Sequence, residues 1–193
     1  RLRDICPAND ILLIFDEVST GFRMSAAGVQ PVVGTIPDMA VFAKSISNGY
    51  AMGAVVGKQD VMEPAARMFV SSTYWSDTIG LRAALTTLRE VRQRDVPAKL
   101  QKLGRHLKTS LNEVAAETGC PVSCVGIDTH PRLEFDIDAP LTGQVTTLYI
   151  QEMAKQGCHG YTSYYLNAAQ GDAEVEQTAN AARKTFSLIA QAL

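Results

Sequence analysis

Apolar residues run without interruption from Ile11 to Phe15 and stop at the acidic pair Asp16-Glu17. A continuous run, as opposed to an alternating one, predicts a strand covered on both faces within a parallel sheet, with Asp16 at its carboxyl end. A second apolar stretch, Met39 to Ala43, follows a loop marked by Pro31 and Pro37 and ends at Lys44. Gly53-Ala54-Val55-Val56-Gly57 makes a third. Three buried strands in such quick succession predict an open α/β sheet, mainly parallel. Ligands of such sheets bind just beyond the carboxyl ends of strands, where this pattern places both Asp16 and Lys44.

The periodicity then changes. From Ile79 to about Arg94 the residues Leu81, Leu85, Leu88 and Val91 recur at helical spacing, and Asp95-Val96-Pro97 stops or bends that helix. A second helix carries the stripe Leu100, Leu103, Leu107, Leu111 and Val114 and closes at Gly119. Strands are expected at Val122–Val125 and Leu133–Ile137, a helix near Val145–Gln156 capped by Gly157, and an extended piece from Tyr161 to Leu166. A final helix from about Asp172 places Glu174 and Glu176 in its positively polarised first turn and buries Val175, Ala182, Phe186 and Ile189. The expected organisation is therefore an α/β domain over residues 1–95, followed over 96–193 by a long linking helix and a small α+β domain.

Composition narrows the function. Eighteen basic residues against 20 acidic ones, with no long like-charge run, give no electrostatic footprint for nucleic acid or an anionic membrane. No apolar run approaches the roughly 20 residues of a membrane span. A small-molecule partner is expected. Four cysteines, Cys6, Cys120, Cys124 and Cys158, lack the spacing of a disulfide framework or a zinc site and read as reduced thiols of a cytoplasmic protein. His106, His130 and His159 show no ligand spacing and are expected at the surface or the core edge. No phosphate-binding G-x-x-x-x-G-K-[ST] segment is present. The chain starts at Arg1 and enters an apolar run within ten residues, which suggests that a preceding part is missing.

Lys44 taken alone reads as a solvated lysine. Partly desolvated at a strand end, its amine becomes a nucleophile able to attack a carbonyl and form a Schiff base. Asp16, a carboxylate at a buried strand terminus, needs pairing or a hydrogen bond to stay there; it reads equally as a cap of the following turn or as a partner in that chemistry.

The segment Asp16-Glu17-Val18-Ser19-Thr20-Gly21-Phe22 resembles the DEVxTGF segment of the class III pyridoxal-phosphate-dependent aminotransferases. Pro37-Asp38-Met39-Ala40-Val41-Phe42-Ala43-Lys44 is similar to the P-D-x-x-x-x-x-K segment that carries their cofactor lysine, in the same order and separation. The resemblance covers nearly the whole chain but only the later half of the family's usual length. It implies part of the large domain of fold type I followed by the small carboxyl-terminal domain, with pyridoxal 5'-phosphate as cofactor. It further implies that Asp16 binds the pyridine nitrogen, that Val18 packs on a face of the ring, and that Lys44 bears the cofactor and shuttles protons. Ser71 to Asp77 is similar to the family's threonine loop. Thr73, beside Ser72, would thereby reach the cofactor phosphate of a neighbouring subunit, implying a homodimer; alternatively Ser72 or Thr73 caps the helix near Ile79.

Three positions depart from the common pattern. Ser19 stands where many transaminases have glutamine, Ala51 where a proline is common, and no R-x-x-P-P-like segment follows near the end. The expected activity is transfer of an amino group between an amino donor and a keto acid or aldehyde acceptor. The departures favour the glutamate-semialdehyde-aminomutase-like branch, with an amino shift between neighbouring carbons, or an atypical transaminase, over an ornithine or γ-aminobutyrate transaminase. The alternative from another class is a non-catalytic α/β binding module. The 193 residues are expected to be inactive by themselves, because half of the cofactor shell would lie outside them. Trp75 and the cluster Tyr161, Tyr164 and Tyr165 read as packing residues, with the active-site entrance as the alternative for Trp75.

Overall fold

Residues 1–75 and 77–193 are described in the computed structural model, and the chain divides into two compact units, Arg1–Ala98 and Lys99–Leu193. In the first unit, α1 (Leu2–Ala8) precedes β1 (Ile14–Asp16), and α2 (Gln30–Val33) leads to β2 (Met39–Phe42). Next come β3 (Ala54–Gly57), α3 (Gln59–Met62) and α4 (Thr78–Gln93). The sheet order is β1-β2-β3, with β1 parallel to β2 and β3 antiparallel to it. One of the two pairings is thus parallel, in a mixed α/β unit.

The amino ends of β1 and β2 are fastened by Asp38, whose carboxylate is almost fully buried. It accepts hydrogen bonds from Leu13 N (2.8 Å) and Lys58 Nζ (2.7 Å) and pairs with Arg3 (2.9 Å). Lys58, then the Leu13 amide, then Arg3 hold its carboxyl well below the usual carboxylate range. The carboxyl edge of the same strands is left for Asp16 and Lys44.

Two expectations about the first unit need correction. The run Ile11–Phe15 is not covered on both faces: the regular strand is only Ile14–Asp16, and Ile11, Leu12 and Ile14 are each about half exposed. β1 has a neighbour on one side only, and among the described residues no layer covers its outer face. Val55 and Val56 of β3 are likewise exposed, whereas Ala40 of the central strand is buried. In α4 the buried stripe is Gly80, Ala84 and Val91, while Leu81 and Leu85 face outward. The helix meets the Ala51-Met52 loop through Gly80, where a Cβ would come within 2.6 Å of the Ala51 carbonyl oxygen. Only the small side of the helix fits there, so the stripe is rotated one position away from the leucines.

The second unit follows the sequence pattern closely. It contains α5 (Val96–Thr118) from Lys99 onward, the antiparallel hairpin β4 (Val122–Ile127) and β5 (His130–Phe135), α6 (Ala139–Lys155) and α7 (Asp172–Ala192). Leu100, Leu103, Leu107, Leu111 and Val114 are all buried, as are Val175, Ala182, Phe186 and Ile189 of α7. Gly119 and Gly157 take the left-handed conformation after α5 and just past α6. The piece from Tyr161 to Leu166 borders β5, with Thr162 accepting from Leu133 N (2.7 Å) and Tyr164 N donating to Pro131 (2.9 Å). Gly104 lets α5 approach the hairpin turn, since a Cβ there would overlap the Asp128 carbonyl. The four cysteines are free thiols, and burial pushes those of Cys120 and Cys124 up to about 11 and about 12.

Candidate active site

The parallel register pairs Ile14 with Met39, Phe15 with Ala40 and Asp16 with Val41. Two strands running the same way release their next residues at the same edge of the sheet, so Asp16 and, three residues beyond Val41, Lys44 both emerge at the carboxyl edge. Lys44 opens a short 3₁₀ turn, Lys44–Ile46, with φ +48°, a left-handed conformation uncommon for a lysine. Its Nζ donates a hydrogen bond of 2.6 Å to Ser19 Oγ.

Within this chain neither residue is buried: Asp16 and Lys44 both stand exposed at the sheet edge. The buried carboxylate at this strand end is Glu17, 2 % exposed. Successive residues leaving a strand alternate in direction, and Glu17 takes the inward one. Its Oε2 accepts from Thr20 Oγ1 (2.9 Å) and its Oε1 from Val29 N (2.6 Å). Its backbone bridges Val41 O (2.8 Å) and Gly21 N (2.9 Å). Gly28, at φ +83°, leaves room for the carboxylate, as a Cβ there would stand 2.5 Å from Glu17 Oε1. The consequence is a pinned loop. Glu17 immobilises residues 17–29, and Asp16 closes the near side by accepting from Val18 N through Oδ1 (3.0 Å). The spacing of Glu17 to Thr20 and the glycine at 28 were the available sequence signals for this organiser.

Val18 is half-buried beside Asp16. Ser72 and Thr73 stand exposed before α4, and the structure links neither of them to Lys44 or Asp16 within this chain. They do not cap α4 either: Asp77 does, through Oδ1 accepting from Ile79 N (2.9 Å). Ser76, within the same segment, lies outside the described residues. Trp75 is exposed. Among the described residues no group of histidine, cysteine and acidic side chains could hold a metal, and no helix is long and apolar enough to cross a membrane.

This donor set fits an aromatic aldehyde with a basic ring nitrogen. Lys44 presents a primary amine at the sheet edge, and Asp16 keeps Oδ2 outside any hydrogen bond among the described residues. Val18 offers apolar surface between them in sequence.

Comparison with known proteins gives the family. The model of the aminotransferase class-III family matches residues 1–125. The 3-aminobutyryl-CoA aminotransferase of Cloacimonas acidaminovorans (strain Evry) is 32% identical over 100% of this chain and 47% of its own length. A glutamate-1-semialdehyde 2,1-aminomutase of Halorubrum lacusprofundi is 35% identical over 72% of this chain and 32% of its own. Among solved structures, the PLP internal aldimine form of the Sphingopyxis sp. MTA144 FumI protein superposes with a TM-score of 0.90 at 25% identity, covering 98% of this chain and 46% of that one. An omega-transaminase from Sphaerobacter thermophilus gives 0.86 at 27% identity, over 99% and 47%. The chain spans about half the length of the full-length curated relatives it matches end to end. It belongs to the class-III aminotransferase family.

Proposed function

We propose that this chain supplies the lysine and the ring-binding carboxylate of a pyridoxal 5'-phosphate site that moves an amino group between an amino donor and a keto acid or aldehyde acceptor. The observation that carries this reading is the parallel register of β1 and β2, which brings Asp16 and Lys44 out at one sheet edge. When bound, the cofactor supplies an aldehyde that captures amines and a cationic ring that takes up the electron pair released at the substrate carbon.

The chain's own residues divide that work. Lys44 Nζ would attach the cofactor and would carry the proton to and from the substrate carbon. Asp16 would hold the ring nitrogen and keep it protonated, which an aspartate does by favouring the neighbouring positive charge. Val18 packs against the ring. Ser72 and Thr73 offer hydroxyls near the amino end of α4 to a phosphate of a second copy, so the working form is a homodimer. Residues 1–95 form part of the large cofactor-binding domain, and 96–193 the linking helix and small domain. Free thiols and the balanced charge support a cytoplasmic enzyme of small metabolites.

A second outcome, a 2,1-amino shift within one amino aldehyde, is supported by the 35% identity to the Halorubrum aminomutase. It uses the same residues and differs in whether the keto intermediate leaves. An assay of released keto acid or aldehyde from the protein as its host makes it separates the two: release supports transfer, and retention with a rearranged product supports the shift.

A further inference from the structure

The loop that follows β1 holds a hydroxyl, Ser19, where many relatives of the family carry a glutamine, and its contact is with Lys44. Ser19 Oγ accepts from Lys44 Nζ at 2.6 Å and makes no other hydrogen bond among the described residues. Its position is fixed from both sides: Asp16 holds the amide of Val18 just before it, and Glu17 holds the hydroxyl of Thr20 just after it and the amide of Gly21. Lys44 meets it from the other strand with a left-handed backbone, a conformation that persists in a non-glycine residue only where the surroundings fix it. A four-carbon side chain at an exposed site ordinarily samples many rotamers. Here its end is tied to a short, rigid acceptor three residues from Asp16.

We propose that Ser19 is a positioning residue for Lys44: its hydroxyl holds the uncombined Lys44 amine at the carboxyl edge of the sheet, beside Asp16, in place to meet the cofactor aldehyde. The inference rests on the reading of Lys44 as the cofactor lysine. A serine suits this because its hydroxyl sits one carbon from a pinned backbone, so little freedom is lost when the bond forms. Alanine removes the acceptor, whereas threonine keeps it.

The test uses the protein as its host makes it, in wild-type, Ser19→Ala and Ser19→Thr forms, with two probes read by peptide mass spectrometry. The first is formaldehyde with cyanoborohydride, which methylates amines without any site for the cofactor. The bond to Ser19 confines Nζ to one position, so freeing it in Ser19→Ala should raise its reaction with this small, unguided aldehyde about fivefold relative to exposed Lys102, with Ser19→Thr near wild type. The second is pyridoxal phosphate, quenched with borohydride after short exposures: the amine adds to the aldehyde, water leaves, and hydride reduces the carbon–nitrogen bond to a stable amine. Ser19→Ala should slow labelling of Lys44 about fivefold, and Ser19→Thr should restore it. Unchanged methylation in Ser19→Ala overturns the hydrogen bond, and unchanged pyridoxal labelling overturns the positioning role. An unlabelled Lys44 in wild type, with methylation responding as expected, overturns the cofactor reading on which the proposal stands.

Discussion

Asp16 lies opposite Val41 in the parallel pairing of β1 with β2, and that single register sets the candidate site. A slip of one residue would turn Asp16 inward and Glu17 outward, exchanging a carboxylate open to ligand for one buried among backbone amides. Asp16→Asn keeps the size and the acceptor for Val18 N but removes the charge. Turnover by the protein as its host makes it should fall on the order of a hundredfold, with pyridoxal phosphate still attached at Lys44. Retention of full turnover in steady-state assays would remove Asp16 from the mechanism.

Glu17 is the organiser of the loop. Glu17→Ala leaves Val29 N and the Thr20 hydroxyl without their acceptor and should lower stability by about 2 to 3 kcal/mol, read as a drop in the urea midpoint of the first unit. Gly28→Ala should be destabilising too, since a methyl group there strikes the Glu17 carboxylate and φ +83° disfavours alanine.

Asp38 gives the first unit a pH dependence. Its folded-state carboxyl is held below its unfolded value by Lys58, Leu13 N and Arg3, so the stability it contributes is present above about pH 4 and is lost as pH falls from there towards the folded value. Thermal melts of wild type should therefore decline as pH drops below about 4. Asp38→Asn should be less stable at neutral pH and show a shallower decline. Parallel curves for the two proteins would contradict the assignment.

Gly104 and Gly143 both sit in helices, and they should respond oppositely to alanine. At Gly104 the new methyl overlaps the Asp128 carbonyl, and α5 must move off the hairpin at a cost of about 3 kcal/mol or more. At Gly143, exposed in α6, nothing lies within 4 Å, and alanine should stabilise by about 0.5 to 1 kcal/mol. Paired melting curves check both signs.

The sequence foretold the second unit better than the first, for a physical reason. The stripe from Leu100 to Val114 and that of α7 are satisfied inside the unit, so helical periodicity maps directly onto burial. In the first unit the apolar runs at Ile11 and Val55 were read as fully covered strands, yet their outer faces find no cover among the described residues. The buried stripe of α4 departs from the leucine spacing because the close backbone approach at Gly80 outweighs it. The placement of Asp16 and Lys44 at one edge was legible from two run endings. The burial of Glu17 in place of Asp16 was not, because adjacent carboxylates look alike until strand direction decides which one turns inward. Ser19 appeared only as a departure from a pattern; its bond to Lys44 depends on a left-handed backbone that spacing does not encode.

The 193 residues by themselves are expected to show no robust transamination. Lys44 and Asp16 are exposed, and electrostatic catalysis weakens where water screens the reacting groups. Robust turnover by this chain alone would refute that expectation.

The central claim is that Lys44 is the cofactor lysine. The most direct measurement adds pyridoxal phosphate to the protein as its host makes it, records the visible absorption, reduces with borohydride and maps the labelled peptide, with Lys44→Ala in parallel. The account predicts a visible band and a label on Lys44, both absent from Lys44→Ala; no band, or a label scattered over other lysines, would contradict it.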